Sequence, residues 1–143
     1  MDKFIDPNRA QFEAFKGLDR DKPIEMLNLV RLRDVAAYPE DHPLAGEDLS
    51  GADAYANYGR ATGPIFQRVG GTILWRGTFE TTLIGPEDEA WHVMFIAHYP
   101  TAHAFLEMAT DPDYQREVVH RQAAVETSRL IRCDTAQEGS VFG

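Results

Sequence analysis

Between residues 24 and 33 the chain reads IEMLNLVRLR, and apolar side chains occupy both phases of a two-residue alternation. One phase carries Ile24, Met26, Asn28, Val30 and Leu32; the other carries Glu25, Leu27, Leu29, Arg31 and Arg33. This predicts a strand covered on both faces. A second strand is expected from residue 72 to about 84, with Gly77 as the candidate bulge. The near-continuous apolar run WHVMFIAHY, 91–99, predicts a central strand, and SRLIRC, 128–133, the last one. Between these runs the period lengthens. Tyr55, Tyr58, Thr62, Ile65, Phe66 and Val69 trace one stripe of a helix that starts at Ser50 and runs to about Arg68. Pro64 lies inside it and is expected to kink or split it. Thr101 caps a further helix to about Met108, and Asp111-Pro112 restarts it, with Tyr114, Val118, Gln122 and Val125 facing one way. A short helix over 7–18 precedes everything, with Asp6 as its expected N-cap and Phe12 and Phe15 on one face.

The order is an extra helix, then strand, helix, strand, strand, helix, strand. That is the α+β, ferredoxin-like βαββαβ arrangement: a four-stranded antiparallel sheet with two helices on one face. The other face keeps apolar and aromatic residues, and a lone copy leaves it wet. The expected solution is a homodimer whose two sheets curl toward each other and enclose pockets. One domain is expected over 1–143, with a core over 24–133, a helical extension over 1–23 and a polar tail over 134–143. The acidic stretch 34–51 contains two prolines and neither Lys nor Arg, so it is expected to be a long exposed excursion.

Composition narrows the classes. The chain has 143 residues, 43% hydrophobic and 26% charged, enough for a core without covalent staples. One cysteine, Cys133, precludes an internal disulfide. A net charge of −9 opposes a phosphate backbone, so no nucleic-acid partner is expected. No run approaches the ~20 apolar residues of a membrane span, and the charged start is unlike a secretory signal. No membrane partner and a cytoplasmic location are the expectations.

No metal motif, nucleophile elbow, phosphate loop or dinucleotide fingerprint is present, so no cofactor or metal is expected. Among the five histidines, His98 and His120 are candidate proton carriers; the alternative for each is a bond to a local backbone group or to water. Arg121 either faces a cavity mouth, where it would bind a carboxylate or enolate, or pairs with Glu117 or Glu126. Asn28 is polar in mid-strand, so its amide must bond a nearby loop or project toward a ligand. Trp75, Tyr58 and Tyr114 are candidates to line an apolar pocket with polar tips, with core packing as the alternative. For Tyr55 and Phe66 core packing is the better account.

The segments MLNLVRLRDVAAY, GADAYANYGRATGPIFQRVGGTILWRG, WHVMFIAHYP and HYPTAHAFLEMATDPDYQREVVHRQAAVETSRLI resemble the family catalogued as domain of unknown function 1330. Tyr99-Pro100, Phe105, Pro112, Tyr114 and HRQAA are the most specific pieces, and His98 stands where the family often has arginine. The resemblance implies the dimeric α/β-barrel superfamily. That superfamily includes cofactor-free quinol monooxygenases, haem-degrading oxygenases and small-ring isomerases. The expectation is a small-molecule-binding dimer, a cofactor-free oxygenase or isomerase acting on an apolar ring. Asn28 and Arg121 would orient the substrate, and His98 or His120 would move the proton. The alternative is a non-catalytic interaction or stress-related domain. A haem variant would need an axial histidine facing the cavity.

Overall fold

The computed structural model describes residues 2–136, 139, 141 and 142. Its elements are α1 (Arg9–Gly17), β1 (Ile24–Leu32), α2 (Gly51–Arg68), β2 (Thr72–Gly77), β3 (Val93–Tyr99), α3 (Ala102–Thr110), α4 (Pro112–Glu117), α5 (Val119–Ala124) and β4 (Val125–Cys133). The strands form one sheet in the order β2-β3-β1-β4, and every neighbouring pair is antiparallel. This is the expected α+β, ferredoxin-like fold. The second helical segment is divided into α3, α4 and α5.

Local chemistry sets the helix ends. Ser50 and Asp53 make a reciprocal capping box at the start of α2. Gly51 follows because a Cβ there would lie 2.1 Å from the Arg33 carbonyl oxygen, so the helix start seats directly on the end of β1. The Thr101 side chain caps α3, and Asp111 caps α4 with Pro112 in its first turn. At α1 the cap is Asn8, whose side chain accepts from the Gln11 amide at 2.8 Å, and not Asp6. Pro64 does not split α2: the helix continues across it, with Thr62 and Ile65 buried on either side. Packing of that face outweighs one lost backbone bond.

The sheet also corrects the expected boundaries. β2 stops at Gly77, and residues 78–92 leave the sheet in an excursion that carries Leu83 and Ile84, 91% and 92% exposed. The bulge sits at Leu74, between Ile73 and Trp75, and not at Gly77. β4 starts at Val125, directly after α5, because Val125 and Thr127 are fully buried there. The polar tail expected over 134–143 lies partly outside the described residues.

The helix-covered face of β1 presents Ile24, Met26, Asn28, Val30 and Leu32, and the core above it comes in two parts. Ile24 and Met26 join Ile65, Val69, Ala97, Tyr99, Ala102, Ala104 and Met108, with Phe66, Phe95, Phe105 and Tyr114 packed alongside. Val30 joins Ala54, Ala123, Ala124 and Val125, with Tyr55 and Val93 alongside. Asn28 falls between them.

Candidate functional site

Asn28 marks a waist in the core. Its neighbours on the same face, Met26 and Val30, are 3% and 1% exposed, yet Asn28 is only half-buried. On adjacent strands it pairs with Phe95 and Leu130, and Leu130 is 42% exposed although it shares the helix-covered face. Cover over the middle of this face is therefore thinner than at Met26 and Val30, toward the β4 edge. The Asn28 amide donates to the Met26 carbonyl of its own strand at 3.0 Å, and its Oδ1 accepts no bond from the described residues.

The helices close the waist from above with tyrosines. Tyr55 packs on the Val30 cluster and Tyr114 on the Met26 cluster. Tyr58 touches both: its ring lies 5.5 Å from that of Tyr55 and 6.2 Å from that of Tyr114. Tyr58 and Tyr114 share a hydrogen bond of 2.8 Å between their hydroxyls. Tyr99 reaches the same space from the end of β3, between the rings of Phe66 and Phe105. The hydroxyls of Tyr55 and Tyr99 bond nothing among the described residues, yet neither they nor Asn28 Oδ1 are sealed off; the sealed polar atom without a partner is Arg33 Nε.

Burial pushes the Tyr55, Tyr99 and Tyr114 hydroxyls above the ordinary tyrosine range, and the neighbouring Tyr58 adds to the effect. Arg121 opposes it at Tyr55 and Tyr114, and Arg76 opposes it at Tyr55. All three phenols are therefore neutral hydrogen-bond donors at physiological pH. They are not bases.

Of the residues singled out from sequence, Tyr58 and Tyr114 bond each other here, Arg121 acts on Tyr114 electrostatically, and Asn28 lies on the sheet between the two core clusters. Arg121 makes neither ion pair expected of it. It donates to the Ile5 carbonyl and, at 3.1 Å, to Ser128 Oγ, while Glu126 pairs with Arg31. Its charge is held at the waist between the N-terminal segment and β4.

The other three lie elsewhere. Trp75 does not share a pocket with Tyr58 and Tyr114. The Leu74 bulge shifts the alternation of β2 by one residue, turning Trp75 to the open face opposite Ile96 and Arg76 to the helix-covered face opposite Phe95. His98 is also on the open face, where its Nδ1 lies 2.9 Å from Glu25 Oε2; Thr135 donates to the same carboxylate. His120 lies under the 34–50 excursion, with Nδ1 2.7 Å from the Tyr38 hydroxyl and Nε2 3.1 Å from Glu117. The Tyr38 ring stacks on His42, so the acidic excursion is folded back onto α5. Neither His98 nor His120 faces the waist: His98 is on the opposite, open face, and both ring nitrogens of His120 are engaged.

Tyr55 packs on the core as expected, though its ring also lies 5.5 Å from that of Tyr58; Tyr99 and Arg76 were not among the candidates. The Tyr55–Tyr58 contact was detectable, since a spacing of three puts both on one helical face. Arg76 was not, because the bulge reverses its face. Among the described residues no cluster of three or more His, Cys, Asp and Glu side chains has metal-binding geometry, and no helix is long and apolar enough to cross a membrane. A separate hollow of about 550 Å³ lies under the 78–92 excursion, lined by Phe79, Ile84, Trp91 and Met94 among others. It is shallow and lies apart from the tyrosines.

The antiparallel sheet with helices on one side defines a ferredoxin-like protein, and solved structures agree. SnoaB, a cofactor-independent oxygenase from Streptomyces nogalater, is 16% identical over 84% of this chain and 99% of its own, with a TM-score of 0.50, a likeness of fold alone. Residues 44–132 match the family model described as domain of unknown function (DUF1330), and the chain belongs to that family. A protein of unknown function from Rhodopseudomonas palustris is 52% identical, over 96% of this chain and 100% of its own, with a TM-score of 0.88. The methylated form of that protein gives 51% identity, coverage of 98% and 100%, and a TM-score of 0.90. No curated protein matches this chain.

Proposed function

We propose that this protein binds a small, flat, oxygen-bearing ring compound at the waist of each chain, and works as a homodimer joined through the open sheet face. The half-buried Asn28 between the two halves of the core carries this reading. Met26 and Val30 are sealed, while Asn28 Oδ1 between them and the Tyr55 and Tyr99 hydroxyls have no partner among the described residues. Such atoms are costly in a finished core and useful in a binding site. Aromatic walls suit a flat ring, and neutral phenol donors suit its oxygen atoms.

The chemistry such a site supports is electrophilic. Tyr58, Tyr114 and Tyr55 donate hydrogen bonds to a carbonyl or hydroxyl oxygen and lower the energy of negative charge that develops there. Neither His98 nor His120 faces the waist, so a proton taken from the ring goes to another acceptor. This suits substrates that enolise readily, of the kind a cofactor-free oxygenase or isomerase acts on, and SnoaB is one cofactor-independent oxygenase on a related fold.

The dimer reading rests on Leu74, Trp75 and Ile131, which are 58%, 50% and 46% exposed. A second copy would cover them and leave the waist within each chain. The test is calorimetric binding of 2-naphthol and 1,4-naphthoquinone to wild type and to Asn28→Ala, with thermal melts to show that both are folded. Binding by wild type that weakens about tenfold in the variant, the equivalent of roughly 1.4 kcal/mol, supports the proposal. No binding by wild type, or equal binding by both, overturns it.

A further inference from the structure

The polar groups of the waist are unequally divided between donors and acceptors. Four phenols contribute four hydroxyl hydrogens, one of them engaged between Tyr58 and Tyr114, which leaves three. Arg121 has five N–H groups; the Ile5 carbonyl and Ser128 Oγ accept from its two terminal nitrogens, and further hydrogens stay free. Against these stand one amide oxygen, Asn28 Oδ1, and the weakly accepting phenol oxygens. A guest that brings more donors would leave donors facing donors. A guest that brings acceptors satisfies the site.

Charge points the same way. The chain carries 23 acidic and 14 basic side chains, so cations have many carboxylates to choose from. Arg31 and Arg68 each take one, and Arg116 takes two, Asp113 and Glu117. Arg121 lies on α5 at the waist, and Arg76, exposed, lies on the helix-covered face of β2 opposite Phe95. Among the described residues neither pairs with a carboxylate. Glu117, the acidic residue on α4 nearest in sequence to Arg121, is held by His120 and Arg116 instead. Both arginines act on Tyr55 electrostatically, and neither is neutralised by a carboxylate among the described residues.

We infer that the waist takes an anion: an aromatic carboxylate, or an enol bound as its enolate, whose oxygens accept the tyrosine hydrogens and whose charge is met by Arg121 and Arg76. The inference rests on the waist being the ligand site. Within that reading it narrows the ligand from oxygen-bearing rings in general to those that carry a negative charge.

A matched pair of compounds isolates the charge. 2-Naphthoate offers two acceptor oxygens and a full charge. 2-Naphthamide has nearly the same shape, no charge, and two donor hydrogens. Because hydrogen bonds to charged groups exceed neutral ones by about 1–1.5 kcal/mol, naphthoate should bind about tenfold tighter. That ratio should fall to near one in Arg121→Gln. Arg121 also holds Ile5 and Ser128, so Arg76→Gln, an exposed position that anchors nothing else among the described residues, provides a second reading, with a smaller fall in the ratio. Equal binding of the two compounds, or a ratio that survives both substitutions, overturns the inference. Binding of 2-naphthol without any binding of naphthoate overturns it as well, while leaving the waist as a site for neutral rings. If none of these compounds binds, the site reading fails and the anion with it.

Discussion

The two faces of one sheet have had opposite fates. On the helix-covered face Ile24, Met26, Val30, Ala97 and Tyr99 are all at most 4% exposed. On the other, Trp75 and Ile131 are 50% and 46% exposed, and Leu27, Leu29, Met94 and Ile96 are half-buried. The strands are apolar in both phases, so the contrast comes from what covers them and not from what they are made of. Charged groups sit at the borders of the open face, with the Glu25–His98 pair at one end and Arg31–Glu126 at the other. An apolar centre with a polar rim is the form of an interface. The polar intrusion on the helix-covered face is in its middle, at Asn28, where we propose that the ligand binds.

Substitutions can break this contrast, beginning with the largest effect. Ile24→Ala empties a fully buried position in the larger core cluster and should cost about 2–5 kcal/mol in urea unfolding at fixed protein concentration. Leu27→Ala, its near neighbour on the open face, should cost much less in a protein held monomeric by dilution. Equal losses would erase the distinction between the faces. Ile131→Glu places a charge on the open face, at its β4 edge, without touching the core. It should convert a dimer to a monomer by light scattering, with dissociation at least about a hundredfold easier, or roughly 2.7 kcal/mol. A wild type that is monomeric at all concentrations would end the dimer reading.

Smaller effects test the waist and the helix caps. Tyr58→Phe removes the hydroxyl that bridges to Tyr114 and should cost about 0.5–1.5 kcal/mol, while the ring contacts to Tyr55 and Tyr114 remain. Greater stability in the variant would mean that the pair is held under strain for a guest. Asp111 gives the smallest effect. Its hydrogen bond from the Tyr114 amide, aided by Arg68, holds its carboxyl below the ordinary range. A lowered carboxyl stabilises the fold above the unfolded-state value, and the benefit is lost as pH falls through the folded value. Asp111→Asn should therefore lower the melting temperature slightly at neutral pH, and the difference from wild type should vanish on acidification. A difference that grows toward low pH would contradict the assignment.

Much of the fold was legible because it depends on short-range signals. The two phases of β1, the Ser50 and Thr101 caps and the Asp111-Pro112 restart are each set by residues within one turn or one pleat. Where local signals failed, a long-range contact had overridden them. Pro64 was expected to interrupt α2, but the buried stripe on either side of it holds the helix together. Ordinary alternation puts Trp75 with the tyrosines; the bulge at Leu74 reversed it, and a bulge is settled by pairing with β3. Of the site, Tyr58 and Tyr114 were expected to line one pocket and Asn28 and Arg121 to orient one substrate, but the 2.8 Å bond between the two tyrosine hydroxyls had no local signal.

The amino-acid sequence by itself determined the order of elements, the two apolar phases of the strands and the polar residue in the middle of one of them. The tertiary structure alone decided which phase the helices cover, that Tyr58 and Tyr114, 56 positions apart, share a hydrogen bond, and that His120 answers to Tyr38 instead of to the waist. The physical reason is range. Propensity, capping and alternation act over a few residues, whereas the face a strand buries and the partner a hydroxyl finds depend on segments that meet only once the chain has closed on itself.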